Sequence, residues 1–89
     1  MANIKSAKKR IRVTARQTLR NKIVRSKVRT AVRRAREALA TGDVEAATET
    51  TRLAERELDK AATKHVIHHN NAARRKSRLM RALAKLTAA

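Results

Sequence analysis

The sequence predicts an all-α fold: a three-helix bundle with a long, protruding N-terminal helix. Three observations predict it. Proline is absent and glycine occurs once, at Gly42, in an 89-residue chain dominated by the helix formers Ala, Leu, Arg, Lys, Glu and Gln. Apolar residues recur at close to 3.6-residue spacing on both sides of that glycine. The first of these stripes runs out well before the N-terminus, although the helix-forming residues do not.

The first helix is read from near Ser6 to Ala40. Val24, Val28, Ala31, Ala35 and Leu39 lie on one face and form the packing stripe. Projected backwards, that face meets Arg20, Gln17 and Arg10, while Ile11, Ala15, Leu19 and Ile23 spiral away from it. At 1.5 Å per residue such a helix spans roughly 50 Å, too long for a globule of this size, so its N-terminal half projects from the domain. Thr41-Gly42-Asp43 ends it: glycine takes the left-handed conformation and Asp43 accepts hydrogen bonds as the N-cap of the next helix. In the second helix Val44, Ala47, Thr51, Ala54, Leu58 and Ala61 share a face, and Glu45 favours the positive end of the helix dipole. The third helix rests on Ala72, Leu79, Leu83 and Leu86, opposite Arg74, Arg75, Lys76, Arg78 and Arg81. Its start is poorly marked, because Lys64 to Asn71 contains neither Gly nor Pro; Asn70 or Asn71 is the expected cap.

A chain of this length makes one domain, 1–89, burying roughly 60 to 65 per cent of its unfolded surface. Of its 37 apolar residues 18 are alanine, and there is no Phe, Tyr or Trp, so the core is expected to be slight. Charge dominates instead, with 24 Lys and Arg against 7 Asp and Glu. Residues 1–36 hold 14 cations and no acid, and every acid lies between Glu37 and Asp59. Such a field calls for a polyanionic partner. The ladder Lys8-Arg12-Arg16-Arg20, with Lys5-Lys9 and Arg25-Arg29-Arg33 beside it, places like charges at four-residue spacing, where they repel unless an external polyanion relieves them.

Several classes are set aside by what is missing. Without cysteine there is no disulfide, thiolate catalysis or thiolate metal site. No apolar run reaches the roughly 20 residues of a membrane span, no signal peptide is visible, and the chain reads as cytoplasmic. A membrane-surface helix wants aromatic or leucine residues on a broad apolar face, which this one lacks. Modules that read single-stranded bases stack them on aromatic rings, also missing. Stepping by seven from Leu39 gives Ala46, Leu53 and Lys60, so no leucine zipper follows the basic segment. His65, His68 and His69 have metal-ligand spacing but no Cys or carboxylate beside them in sequence, and no metal or other cofactor is expected. Ser6, Ser26 and Ser77 lack a base and an orienting carboxylate, so no catalytic site and no small-molecule substrate are expected. What remains is recognition of phosphate, sugar and shape in folded RNA, or an architectural DNA protein binding without base reading.

The segments Asn3-Ile4-Lys5-Ser6-Ala7-Lys8-Lys9-Arg10, Leu19-Arg20-Asn21-Lys22, Arg29-Thr30, Gly42-Asp43 and Leu58-Asp59-Lys60-Ala61-Ala62 occur in this order. Ile67-His68, Asn70 and Ala72-Ala73-Arg74-Arg75-Lys76-Ser77-Arg78-Leu79 follow. Together the chain resembles, over almost its whole length, the S-twenty family of bacterial small-subunit ribosomal proteins. The resemblance implies a structural, non-enzymatic component of the ribosome. It would bind small-subunit ribosomal RNA directly, in the 5′ domain and at the lower part of the long penultimate stem, beside other ribosomal components, and help its folding and assembly. The residues it assigns to RNA binding in the first helix are Asn3, Lys5, Ser6, Lys8, Lys9, Arg10, Arg20, Asn21, Lys22, Ser26, Arg29 and Thr30. From the third it assigns His68, Asn70, Arg74, Lys76, Ser77 and Arg78. The positive ladders add Arg16 and Arg33, the basic run of the third helix adds Arg75, and residues 1–20 are expected to be an RNA-bound helical extension. Family members commonly have Gly where this chain has His65; histidine tolerates positive φ better than most residues, so the turn is expected to survive.

Overall fold

A computed structural model describes residues 2–88, with side chains from Ile4 onward, so the contact expected of the Asn3 side chain lies outside the described residues. Three helices follow one another: α1 (Ala2–Thr41), α2 (Val44–Thr63) and α3 (His69–Ala88). The fold is the all-α bundle with a protruding first helix that the sequence predicts. Forty residues of α1 span about 60 Å, and the molecule measures 68 × 20 × 13 Å. The rod sets the long dimension.

The first turn forms as its residues dictate. Gly42 sits at φ 79°, in the left-handed region. The Asp43 carboxylate accepts a hydrogen bond from the Ala46 N–H at 3.2 Å, using one of the donors that a helix start leaves unpaired. Glu45 stands in the first turn of α2.

The second turn is built on His65. At φ 59° it is the one non-glycine residue in the left-handed region among those described. The N–H of His65 donates to the Ala62 carbonyl at 3.0 Å, and that of Val66 donates back to Ala61 at 2.9 Å. These two bonds are a Schellman motif, in which the residue after the helix turns left-handed so that orphan carbonyls are capped. Val66 is thereby delivered into the core, 9% exposed. The start of α3 corrects the expected cap. Neither Asn70 nor Asn71 performs it; the His68 ring nitrogen Nδ1 accepts the Asn70 N–H at 3.1 Å, because the turn at His65 places His68 directly before the helix.

Val24, Val28, Val32 and Ala35 of α1 meet Ala54, Leu58 and Ala61 of α2, Val66 of the turn, and Ala72 and Leu79 of α3. Ala31, Leu39, Ala62 and Ile67 pack at its edge. Ala47 and Thr51 are also buried. Alanines at the contact leave little side chain between α1 and α2 and let them approach closely. Val32 and Val66 belong to the core although the apolar stripes did not mark them, whereas Val44 is 43% exposed. Leu83 and Leu86 are half-buried. Nothing packs on the N-terminal part of α1: every described side chain from Ile4 to Arg20 is exposed, including Ile11 and Leu19.

Candidate nucleic-acid interface

Between α1 and α3 the bundle is open. The two helices diverge around Val28, Val32, Val66 and Ile67, which floor a groove of about 840 Å³. Helical phase sets its first wall: Arg25, Arg29, Arg33 and Arg36 lie beside the valine stripe on the side facing α3. Arg74, Arg75 and Arg78 form the opposite wall, with His68 and Asn71 at the end nearest the turn. No acid lines the groove. Guanidinium is always charged, and its planar fork matches a phosphate's oxygens two at a time. Because His68 Nδ1 accepts a hydrogen bond, the neutral ring carries its proton on Nε2, leaving that N–H as a further donor. The His68 and His69 rings lie 4.2 Å apart between centroids, tilted by 30°.

The groove thus brings together Arg29, Arg33, His68, Arg74, Arg75 and Arg78 from the residues expected to touch RNA. It adds Arg25, Arg36 and Asn71, which sequence reasoning did not assign. A signal for two of them was present, since Arg25 continues the Arg29-Arg33 ladder and Arg36 is two helical turns beyond Arg29. The remaining candidates lie elsewhere. Lys5, Ser6, Lys8, Lys9, Arg10, Arg16 and Arg20 are exposed along the rod, followed by half-buried Asn21 and exposed Lys22. Ser26 and Thr30 open onto a different side of α1, in a smaller cleft against α2 shared with Lys27, Arg34 and Glu57. Asn70 is exposed in the first turn of α3. Ser77 is exposed beside Met80 and Arg81, with half-buried Lys76 next to it. Lys76 is also engaged within the protein: its ammonium donates to Asp59 at 2.9 Å. That bond, reinforced by the nearby charges of Asp59 and Glu55 against slight burial, holds the lysine above its ordinary pKa.

The α2 surface differs in kind. Arg52 and Arg56 alternate with Glu55 and Asp59, so cations there have counter-charges within the same helix. Cations line the rod, which holds no acid, and the α1–α3 groove, which no acid lines, whereas around Arg52, Arg56, Lys60 and Lys64 the acids Glu55 and Asp59 are interspersed. No helix of the described residues is long and apolar enough to cross a membrane, and no three His, Cys, Asp or Glu side chains among them converge as a metal site would need.

The chain matches the family model described as ribosomal protein S20 over residues 2–84. Among similar proteins, the small ribosomal subunit protein bS20 of Roseiflexus sp. strain RS-1 is 56% identical over 89 residues, covering 100% of this chain and 97% of the relative. The protein of the same name in Streptomyces avermitilis is 56% identical over 86 residues, covering 97% and 98%. That of Caldanaerobacter subterraneus subsp. tengcongensis is 57% identical over 79 residues, covering 89% and 75%.

Proposed function

From the fact that the chain belongs to the ribosomal protein S20 family, a structural family of the small ribosomal subunit and not an enzyme class, we propose that it binds small-subunit ribosomal RNA directly and helps that RNA fold and assemble. The observation that carries this reading is the placement of the cations. They form an exposed rod without a single acid and a groove walled by arginines from two helices and lined by no acid, while the acids run from Glu37 near the end of α1 to Asp59 on α2. A single small chain thereby presents two phosphate-binding faces at different places along a 68 Å molecule. It can hold RNA segments that are distant in sequence against each other.

In this reading residues 1–89 act as a single domain with 1–20 as its RNA-bound extension, working in the cytoplasm on the ribosome. The RNA partners are the 5′ domain and the lower part of the long penultimate stem. The rod lies against phosphates and sugars, and Arg74, Arg75 and Arg78 hold a second segment. With no Phe, Tyr or Trp to stack bases on, discrimination comes mainly from the spacing and shape of phosphates.

A competition titration near physiological salt tests this. Labelled 5′-domain RNA is bound to the protein and challenged with excess transfer RNA and, separately, with duplex DNA. Retention of the ribosomal RNA against both supports recognition of a folded RNA shape. Equal displacement by DNA would favour an architectural DNA-binding role instead.

A further inference from the structure

The groove between α1 and α3 has a property that the rod lacks: its arginines come from two elements and line one concavity. Arg25 to Arg36 covers about 16 Å of α1, with Arg29 and Arg33 between them. Across the gap stand Arg74, Arg75 and Arg78. Arg33 has Glu37 at 3.9 Å, but both side chains are 68% exposed and the pair is too loose to neutralise the groove. Asn71, at the groove's closed end, has its amide oxygen shielded from solvent with no hydrogen-bond partner. Like charges on the two walls repel, weakly because the side chains are mostly exposed, and a polyanion between them would turn that repulsion into attraction on both sides.

We infer that this groove is a discrete site for a run of consecutive phosphates, and that in the RNA-free chain it takes a linear inorganic polyphosphate, whose binding draws α1 and α3 together and stabilises the bundle. The inference rests on the reading that the groove accepts phosphate chains. A single phosphate satisfies one or two guanidinium forks and leaves the others repelling. A linear polyphosphate satisfies several forks for one loss of translational freedom, because after the first phosphate docks the others are already local. An RNA strand offers the same phosphates spaced by sugars. The inorganic chain isolates phosphate recognition from everything else.

The test uses the full chain, with inorganic tripolyphosphate as the probe and orthophosphate as its comparison, by calorimetric titration at about 150 mM salt. One variant is Arg74→Gln/Arg75→Gln/Arg78→Gln. The other, Lys5→Gln/Lys8→Gln/Lys9→Gln, removes the same charge from the rod. Expected are saturable one-to-one binding of tripolyphosphate, a higher melting temperature in its presence, and much weaker binding of orthophosphate. Affinity falls at least about tenfold in the groove variant and less than about threefold in the rod variant. Equal loss in both variants, or binding that does not saturate, would overturn the inference, since either means a diffuse field. Circular dichroism checks helicity; if the groove variant unfolds, Arg25→Gln/Arg29→Gln weakens the other wall and is held to the same standard.

Titrating both variants with labelled 5′-domain RNA separates the two readings. RNA affinity retained by a groove variant that has lost tripolyphosphate removes the groove from RNA binding and leaves the polyphosphate site standing. RNA affinity lost while tripolyphosphate never binds overturns the polyphosphate site alone.

Discussion

Lys76 and Asp59 join α3 to α2 through a single contact, Nζ to Oδ1 at 2.9 Å, between side chains 32% and 59% exposed. The lysine's pKa is raised in the folded chain, first of all by that hydrogen bond. Its contribution is therefore complete below the ordinary lysine pKa of 10.5 and disappears as pH climbs through the raised folded value. Asp59→Asn should lower stability by at most about 1 kcal/mol, because exposed pairs are screened. Thermal melts of both proteins from neutral to strongly alkaline pH should converge at the alkaline end. A gap that persists there would assign the effect to something other than this charge.

Leu58 is fully buried, whereas Leu83 is half-buried near the free end of α3. Leu58→Ala should cost about 2–4 kcal/mol through the cavity it leaves, and Leu83→Ala distinctly less. Urea unfolding of the two variants ranks them, and the reverse order would contradict this packing.

Thr51 is 1% exposed and its hydroxyl has no hydrogen-bond partner. Valine has nearly the same shape without the polar atom. Thr51→Val should stabilise the bundle by about 1 kcal/mol, read as a rise in melting temperature. A fall would mean the hydroxyl finds a partner in solution.

His65 holds φ 59° at the end of α2. His65→Gly removes the clash of Cβ with the backbone at a gain of about 1 kcal/mol, partly offset by the freer unfolded chain. His65→Val should be destabilising, since a branched side chain tolerates this conformation least. Melting temperatures ordered Gly above His above Val would bear out the strain.

Lys9 and Arg20 touch nothing that the fold needs, being exposed on the rod. Lys9→Ala and Arg20→Ala should each leave the melting temperature unchanged, weaken RNA binding, and reduce the slope of log affinity against log salt by about one. Binding measured across a salt series gives that slope. An unaltered slope in both variants would mean that neither side chain neutralises a phosphate.

Much of this architecture is legible in the residues. Gly42-Asp43 marks its turn because a lone glycine beside a capping carboxylate has few other uses in a helical chain. The stripe from Val24 to Leu39, and its failure before Arg20, show where the rod leaves the bundle. The second turn stays hidden because a left-handed histidine leaves no compositional mark, and because an imidazole acts as the cap where asparagine is expected. The divided site is hidden for a different reason. Ser26 and Thr30 are neighbours of Arg29 in sequence yet open onto another cleft, and Lys76 meets Asp59 only because α3 folds back along α2. Helical phase and tertiary pairing decide these, and neither is visible in a run of basic letters.

The two halves of α1 answer to different demands. From Val24 to Leu39 the helix is constrained by its neighbours, whereas from Ile4 to Arg20 it meets no other part of the chain. Substitutions in the two halves share no partners, so their effects should add. A lineage can then revise the rod, residue by residue, to follow changes in whatever it lies against without drawing on the few kilocalories that keep the bundle folded. By extending one helix past its own core, the chain separates the adaptation of its contact surface from the conservation of its shape.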